Sequence, residues 1–406
     1  MSGSVVIAGG GQAAAQLVVS LRQGGHEGPI TLVSEEDMAP YQRPPLSKQY
    51  LAGKLERQRL LLRKAEYFES KGVELRLGRR VVGIDRQGKR ATLDSGEALR
   101  YDWLALATGS RLRRLGVAGA DLPGVHYLHS LANADRLREA LRPKRRIVIV
   151  GGGYIGLEVA ATARELGADV TMLEALPRVM SRVVSAQVAD WLTEKHRESG
   201  VRIRTQAKVS ALIGNGRVEG VETDGGSVEA DAVVVGIGVL PASSLARECG
   251  LKEDDGICAD EHCRTSDESV LAAGDCARAV NTLLGTAIRL ESVQNAVDHG
   301  QVAASVILGS PKAYSSTPWF WSDQYRIKLQ IAGVAAPNDE TVLRGDPGAG
   351  AFAAFRLRRG RLSAVEAVSS PREFMAGKKM IAAQLAPDPA LLADTSVPLK
   401  ELLPAR

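Results

Sequence analysis

The stretch VVIAGGGQAAA, residues 5–15, decides the fold. Four apolar residues typical of a buried strand lead into three glycines and then into a helical pattern, and the apolar run ITLV follows at residues 30–33. The stretch RIVIVGGGYIGLEVAATA, residues 146–163, repeats this order and is followed by VTMLE at residues 170–174. Two βαβ units predict an α/β fold with two Rossmann-like dinucleotide-binding domains and parallel sheets.

The first glycine turn carries the fingerprint Gly9, Gly11 and Ala14, and Glu35 lies 21 residues beyond Ala14. Without side chains at the two glycines, backbone N–H groups can approach a pyrophosphate at the positive end of the helix. An acid at this distance can accept hydrogen bonds from a ribose, so the sequence predicts a first dinucleotide site here.

The second fingerprint is complete, with Gly151, Gly153 and Gly156. An enzyme gains nothing by passing hydride between two identical nicotinamides, so one dinucleotide is predicted to be a reductant and the other a resident redox group. FAD fits the resident role because a flavin accepts two electrons and releases them singly.

Glu174, 18 residues past the last glycine of the second fingerprint, predicts a preference for NADH over NADPH. Its carboxylate would accept both ribose hydroxyls and repel a 2′-phosphate. Arg178 and Arg182 lie close by in the sequence and leave open some acceptance of that phosphate.

Length, charge and composition narrow the possible number of domains and the possible kinds of partner. A length of 406 residues favours two or three domains, and the net charge of +5 is small for such a chain. No block of five or six like charges and no long apolar span occurs, which argues against nucleic acid and membrane partners. The first strand begins without a signal peptide before it, which predicts a cytoplasmic protein.

The four cysteines, Cys249, Cys258, Cys263 and Cys276, are too few and too clustered for a disulfide framework. Cys258 and Cys263 have the spacing of a redox-active cysteine pair. Their position in the chain differs from the position of such a pair in disulfide reductases, so they are interpreted as structural thiols. His262 between them has no second pair of ligands nearby, and no metal site is predicted.

From residue 317 onward the pattern changes to the strand-like runs KLQIAGVA, ETVLRG and AFAAFRLRRGRLSAVEAV, separated by turns. This region is predicted to form a C-terminal α+β domain with an antiparallel sheet.

The chain resembles the FAD-dependent NADH:ferredoxin reductases of bacterial oxygenase systems, which have a glutathione reductase fold. The resemblance covers residues 5–398. It rests on the strings RPPLSK (43–48), LALATG (104–109), GGGYIGLEVAATA (151–163), AAGDCA (272–277), ESVQNA (291–296) and PWFWSDQY (318–325).

The resemblance implies three domains: a split FAD-binding domain, residues 1–112 and 246–316; an NADH-binding domain, residues 113–245; and a C-terminal interface domain, residues 317–406. The residues implied or predicted to bind FAD are Gly9, Gly11, Ala13, Ala14, Glu35, Arg43, Pro45, Lys48, Val81, Thr108, Gly109, Asp275, Val293 and Trp321. Those predicted to bind NADH are Gly151, Gly153, Tyr154, Ile155, Gly156, Glu174, Arg182, Gly236, Ile237 and Gly238.

Three residues are implied to act in catalysis. From the sequence alone Lys48 and Glu158 would be ordinary surface charges, but the resemblance places both beside the reactive edge of the flavin, where an ion pair would orient hydride transfer. It also places Trp321 against the flavin, on the side of the interface domain. His129 stands where related chains commonly carry an arginine near FAD, and a neutral imidazole would hold a phosphate more weakly.

The implied partner is a small acidic iron–sulfur ferredoxin of the two-iron, two-sulfur type, which in turn serves an oxygenase. From Thr317 onward the chain has 12 basic and 9 acidic residues, a net 12 − 9 = +3, so a basic docking surface is expected there. Arg289 is a further candidate for docking. Two alternatives stay open: an NADH oxidase or quinone reductase, and a redox-controlled binding flavoprotein of the apoptosis-inducing-factor type.

Overall fold

The computed structural model describes residues 3–404. The α-helices are α1 Gln12–Gln23, α2 Ala65–Ser70, α3 Leu131–Ala140, α4 Tyr154–Glu165, α5 Ala186–Glu198, α6 Ser244–Glu248, α7 Val293–Ile307, α8 Pro371–Ala382 and α9 Pro389–Ala393. The strands are β1 Val5–Ala8, β2 Ile30–Ser34, β3 Val73–Leu77, β4 Val81–Asp85, β5 Arg90–Leu93, β6 Ala98–Arg100, β7 Trp103–Leu106, β8 Ser110–Leu112, β9 Val125–Tyr127, β10 Arg146–Val150, β11 Asp169–Leu173, β12 Arg202–Arg204, β13 Val209–Ile213, β14 Gly220–Thr223, β15 Gly226–Glu229, β16 Ala232–Val235, β17 Val239–Pro241, β18 Ile257–Ala259, β19 Val270–Ala272, β20 Ala277–Asn281, β21 Thr286–Ile288, β22 Trp319–Gln324, β23 Ile327–Gly333, β24 Glu340–Asp346, β25 Ala351–Arg358 and β26 Arg361–Val368.

The chain divides into two compact units. The first contains residues 3–42, 57–111 and 239–316, and the second contains residues 43–56, 112–238 and 317–404. The short segment 43–56, which was predicted to belong to the FAD-binding domain, therefore lies in the second unit together with the C-terminal region.

The first unit is built on a parallel sheet in the order β19-β7-β1-β2-β3. All four residues of β1 are buried, as expected for a central parallel strand covered on both faces. The loop after β1 lies beside the carboxyl ends of its neighbours, which is where open α/β sheets bind ligands. Helix α1 packs closely on α7, since a Cβ on Gly300 would lie 2.8 Å from the backbone oxygen of Ala13.

The second unit contains the repeat of this architecture, a parallel sheet in the order β12-β11-β10-β16-β9. A three-stranded antiparallel meander, β13-β14-β15, accompanies it. One hydrophobic core joins residues of α4 and α5 to residues of the C-terminal strands, including Leu329, Phe352 and Val368.

The C-terminal region forms the predicted antiparallel sheet, in the order β22-β23-β26-β25-β24. Helix α8 covers one face through Phe374, Met380 and Ile381. Together with the two parallel sheets, this confirms the predicted fold class.

The proline-rich segment at residues 40–48 contains a short helical turn. Pro44–Ser47 forms a 3₁₀ turn, in which the N–H of Lys48 donates to the oxygen of Pro45 at 3.0 Å. Consecutive prolines fix φ near the value that a first helical turn requires. This turn gives Ser47 and Lys48 a rigid base.

Candidate functional site

The first glycine turn forms a cradle for a phosphate. Gly9 has φ of +128°, and a Cβ there would lie 2.0 Å from the oxygen of Ala107, so only glycine fits. Gly11, at the N-terminus of α1, faces open space, because a Cβ added there would meet no atom within 4 Å. Ala14 is fully buried under the turn. This is the space that the pyrophosphate of a dinucleotide requires, so the residues present fit FAD.

Several other predicted FAD residues meet at this edge of the sheet. Thr108 and Gly109 follow β7, and the Thr108 hydroxyl donates to the oxygen of Ala242 at 2.7 Å. Asp275 follows β19, with its carboxylate 3.5 Å from the hydroxyl of Ser110. Their convergence supports the predicted site.

Ala13 lies on the opposite side of the same turn. A Cβ on Gly274 would be 3.2 Å from the Cβ of Ala13 and 3.8 Å from that of Ala296, so the turn before Asp275 lies between α1 and α7. Val293 is the first residue of α7. Ala13 on α1 and Val293 on α7 therefore lie on the two helices that flank this turn.

Glu35 and Val81 lie further along the sheet. Glu35 follows β2 directly, and its side chain is exposed, with Arg80 at 4.0 Å. Val81 is buried at the start of β4. The N–H of Arg79 donates to the oxygen of Ser34, which holds the segment before β4 near the end of β2.

A buried histidine that no sequence motif singled out supports the turn before Asp275. The N–H of Gly274 donates to Nδ1 of His299 at 3.2 Å, and Nε2 has no hydrogen-bond partner within residues 3–404. The ring stacks edge-on against Tyr314 at 4.5 Å. Burial lowers the pKa of His299 to about 4, so the ring is neutral and Nδ1 can accept.

The second glycine turn has the same design in the second unit. Gly151 has φ of +106°, and a Cβ there would lie 2.4 Å from the oxygen of Gly236. A Cβ on Gly156 would lie 2.0 Å from the oxygen of Gly151, so helix α4 approaches the strand as closely as backbone allows. Gly153 faces open space, as Gly11 does in the first unit.

The remaining predicted NADH residues surround this second cradle. Gly236, Ile237 and Gly238 follow β16, which pairs with β10, so this loop lies beside the glycine turn. Tyr154 and Ile155 form the first turn of α4, and Ile155 leaves 43% of its surface exposed.

Glu174 lies directly after β11, beside the second glycine turn. One carboxylate oxygen accepts the N–H of Gly152 at 2.6 Å, and the other accepts the N–H of Leu176 at 2.8 Å. The acid is therefore fixed beside the second fingerprint. Arg182 is exposed, and Arg178 is paired with Asp190 at 2.7 Å.

Lys48 and Glu158 form an ion pair, with Nζ 2.6 Å from Oε2. Glu158 is 2% exposed and Lys48 16%, so neither is the ordinary surface charge that the sequence alone suggested. The Ser47 hydroxyl donates to the same oxygen at 2.5 Å. The hydroxyl of Thr162 donates to the backbone oxygen of Ser47 at 2.8 Å and so ties the 3₁₀ turn to helix α4.

Two further predicted residues lie in the same segment. Arg43 precedes the 3₁₀ turn, and its guanidinium donates to the backbone oxygen of His129 at 2.6 Å. The oxygen of Pro45 accepts the N–H groups of Lys48 and Tyr50, both at 3.0 Å. The structure thus connects His129 to Arg43 through its backbone.

Trp321 is half-buried on β22, with its ring centroid 5.5 Å from that of Trp319. Trp319 packs on Phe374 at 5.7 Å, and the Lys378 ammonium lies 5.2 Å from its ring. Side chains alternate along a strand, so Trp321 lies on the opposite face from Ser322.

The face of β22 that carries Ser322 was not predicted to take part in the site. The Ser322 hydroxyl donates to Oε1 of Glu158 at 2.6 Å, and Gln324 beyond it contacts the buried His196 of α5. The string PWFWSDQY was the available signal, but its aromatic residues drew the prediction to the other face.

The cysteines are all free thiols. Cys263 and Cys276 are fully buried, and burial raises the pKa of both thiols, so they stay protonated. Cys258 lies in β18.

The basic side chains that are candidates for docking a partner differ in how exposed they are and in whether they form ion pairs. Arg289 is only 13% exposed and lies 3.3 Å from Asp255 and 2.7 Å from Glu291, so its charge is largely compensated. In the C-terminal region, several basic side chains are exposed and form no ion pair within residues 3–404. These include Arg326, Lys328, Arg359, Arg361, Arg372, Lys379 and Lys400.

No helix between residues 3 and 404 is long and apolar enough to span a bilayer. Over the same range, no three His, Cys, Asp or Glu side chains are grouped in a way that could hold a metal ion.

Comparison with known proteins gives matches along the whole chain. The family model described as pyridine nucleotide-disulphide oxidoreductase matches residues 3–300, and the one described as reductase C-terminal matches residues 319–403. Rhodocoxin reductase from Rhodococcus erythropolis is 46% identical over 399 residues, covering 98% of this chain and 93% of that protein. Putidaredoxin reductase from Pseudomonas putida is 40% identical over 409 residues, covering 99% and 97%.

Among solved structures, the covalent putidaredoxin reductase–putidaredoxin complex contains a chain that superposes with a TM-score of 0.96 at 40% identity. The match covers 98% of both chains. These findings confirm the predicted resemblance, the prediction of an oxidoreductase, and the prediction of FAD and NADH as cofactors.

Proposed function

The chain belongs to the pyridine nucleotide-disulphide oxidoreductase family, and from this premise we propose that it is an NADH-dependent ferredoxin reductase. It takes hydride from NADH onto FAD and passes single electrons to a two-iron, two-sulfur ferredoxin that serves an oxygenase. The observation that carries the proposal is the pair of glycine cradles in a chain that matches reductases of small redox proteins from end to end.

FAD supplies the conversion from two-electron to one-electron chemistry when it is bound. We assign its pyrophosphate to the cradle of Gly9 and Gly11, where N–H groups at the start of α1 stabilise negative charge. Glu35 accepts hydrogen bonds from the ribose of FAD. Asp275, together with Thr108 and Gly109, holds the ribityl or phosphate end of FAD. Ala13, Ala14, Val81 and Val293 line this site as apolar contacts.

NADH is assigned to the second cradle. Gly151, Gly153 and Gly156 admit its pyrophosphate, and Glu174 accepts the ribose hydroxyls. Tyr154, Ile155, Arg182 and the loop of Gly236, Ile237 and Gly238 complete this site.

Lys48 and Glu158 act on the bound flavin in this proposal. The carboxylate fixes the ammonium group through a 2.6 Å contact, and the ammonium group stabilises negative charge that develops during hydride transfer. Arg43 and Pro45 hold the turn that presents Lys48. Trp321 limits access to the flavin.

The domain assignment follows from these roles. We assign residues 3–112 and 246–316 to the FAD-binding domain, apart from the segment 43–56, which lies in the second unit. Residues 113–245 are assigned to the NADH-binding domain and residues 317–404 to the interface domain. We propose the cytoplasm as the location, because NADH is a reductant of that compartment.

The partner is an acidic ferredoxin, which meets the exposed basic side chains of the C-terminal region. Steering between opposite charges raises association rates at low salt and is screened as salt increases. Arg289 contributes little in this proposal, because Asp255 and Glu291 already neutralise it.

An anaerobic stopped-flow experiment tests the function. NADH should bleach the flavin absorption of the purified protein, and the reduced protein should then reduce candidate ferredoxins in single-electron steps that slow with added salt. Equal NADH consumption with oxygen or a quinone alone would favour the oxidase or quinone reductase instead. Failure of NADH to bleach the flavin would refute the proposal.

A further inference from the structure

A buried row of polar side chains leads away from Glu158 through the second unit. Oε1 of Glu158 accepts from the Ser322 hydroxyl at 2.6 Å, and the Ser322 oxygen accepts from Nε2 of Gln324 at 3.1 Å. Oε1 of Gln324 lies 2.8 Å from Nε2 of His196, and Nδ1 of His196 lies 3.4 Å from the hydroxyl of Tyr325. We call Ser322, Gln324, His196 and Tyr325 the donor chain.

The chemical nature of each group determines which partner donates in each hydrogen bond of the donor chain. A carboxylate can only accept, so Ser322 must donate to Glu158 and accept from the amide nitrogen of Gln324. The amide oxygen then faces His196, whose Nε2 must carry the proton and whose Nδ1 accepts from Tyr325. Each member therefore donates toward Glu158.

The surroundings keep the donor chain neutral. Ser322, Gln324 and His196 are all at most 1% exposed. Burial lowers the pKa of His196, and burial raises the pKa of Tyr325, so both remain uncharged around neutral pH. Aligned hydrogen bonds in such an interior polarise one another, so the last link to the carboxylate is strengthened.

Oε1 of Glu158 depends on this last link. Oε2 accepts from both Lys48 and Ser47, whereas within residues 3–404 Oε1 accepts a side-chain hydrogen bond from Ser322 only. A buried carboxylate oxygen that has lost its donor is costly, so this hydrogen bond favours the observed orientation of the carboxylate.

We propose that the donor chain positions Glu158 for the reaction, by holding its carboxylate oriented toward Lys48. Ser322, Gln324 and His196 are thus positioning residues for the Lys48–Glu158 pair. The proposal rests on the proposed function, since it assumes that this pair acts on the flavin.

The row of side chains does not conduct protons. Ser322, His196 and Tyr325 could each pass a proton, but the Gln324 amide could do so only as an unstable tautomer. The donor chain therefore acts through orientation and charge.

Charged and titratable groups face Glu158 from several elements. Lys48 faces it from the 3₁₀ turn, and Tyr154 lies on its own helix, where burial and then the charges of Glu366 and Glu158 raise the pKa of that phenol. Glu366 on β26 is paired with Arg356 at 2.9 Å. None of these groups donates to Oε1. If the Ser322 hydroxyl were removed, no other side chain within residues 3–404 would replace its hydrogen bond to Oε1.

The test compares Ser322→Ala and Gln324→Leu with two controls. Ser322→Thr keeps the hydroxyl donor, and Thr193→Val removes a buried hydroxyl of α5 that donates within its own helix, to the oxygen of Ala189. The side-chain carboxyl of Glu158 is followed by carbon-13 NMR of glutamate-labelled holoenzyme at neutral pH, with its signal assigned by Glu158→Gln. Anaerobic hydride transfer from NADH is measured on the same samples.

In Ser322→Ala and Gln324→Leu, the carboxyl carbon signal of Glu158 should move away from its wild-type position, because the hydrogen bond to Oε1 is lost or weakened. Hydride transfer at neutral pH should slow about tenfold, as expected for one charge-assisted hydrogen bond, with KM for NADH unchanged. Ser322→Thr and Thr193→Val should behave as the wild type.

A wild-type carboxyl signal and a wild-type rate in both Ser322→Ala and Gln324→Leu would overturn the proposal, and so would equal changes in Thr193→Val. A solvent isotope effect on hydride transfer that Gln324→Leu abolishes would indicate proton conduction instead. If NADH fails to reduce the wild type, the proposed function fails, and the carboxyl signal still decides whether the donor chain acts on Glu158.

Discussion

Replacing Lys48 by methionine should destabilise the second unit strongly, although the side chain is partly solvent-accessible. The substitution leaves Glu158 as a buried carboxylate, 2% exposed, with the Ser47 and Ser322 hydroxyls as its only side-chain donors among residues 3–404. Removing one partner of a buried ion pair typically costs about 3–5 kcal/mol. Because two hydroxyl donors remain, we expect the lower end, about 3 kcal/mol.

The double variant Lys48→Met, Glu158→Gln should regain about 2 kcal/mol, because it removes the uncompensated charge. Urea unfolding followed by tryptophan fluorescence reports mainly on the second unit, which contains Trp191, Trp319 and Trp321, whereas the fourth tryptophan, Trp103, lies in the first unit.

The chain offers a matched control in Lys54 and Glu165, which join the same segment to the same helix at 2.8 Å. Their side chains are 64% and 38% exposed, so Lys54→Met should cost less than about 1 kcal/mol. A loss for Lys48→Met as small as that for Lys54→Met, or additive effects in the double variant, would refute the reasoning.

Three other outcomes are expected. Gly11→Ala and Gly153→Ala should both fold, because an added Cβ meets no atom within 4 Å, but the first should be purified with less FAD and the second should bind NADH more weakly, by titration. Glu174→Ala should raise KM for NADH about tenfold and lower the NADH-to-NADPH preference in steady-state assays, because the ribose acceptor is lost. For His299, whose pKa burial lowers from 6.5 to about 4, the unfolded chain binds the extra proton between these values, so stability falls as pH falls through this window. His299→Gln should remove that loss, about 3 kcal/mol in urea unfolding at pH 4 compared with pH 7, whereas an unchanged pH dependence would contradict the burial argument.

The sequence was sufficient for the parallel sheets. Val5–Ala8 and Arg146–Val150 are apolar runs that end at glycines, because central parallel strands are buried on both faces and the turn after them requires positive φ. The 3₁₀ turn at Pro44–Ser47 gave no such signal, since four residues are too short for a periodic pattern.

The candidate site was predicted only in part. Fingerprint glycines and following acids have fixed spacings, so Gly153 and Glu174 could be identified from local sequence. The donor chain could not, because its links join residues as far apart as His196 and Gln324, and only the packed sheet shows which face of β22 is buried. Likewise, the pairing of Lys48 with Glu158 came from family resemblance and not from spacing.

The most direct test of the account counts electrons. With the protein held under anaerobic conditions and excess oxidised ferredoxin, each NADH should yield two reduced ferredoxins, with flavin reduction preceding the first of them, because hydride carries two electrons and the ferredoxin accepts one. Oxidation of NADH that does not depend on the ferredoxin, or flavin that stays oxidised while NADH is consumed, would contradict it.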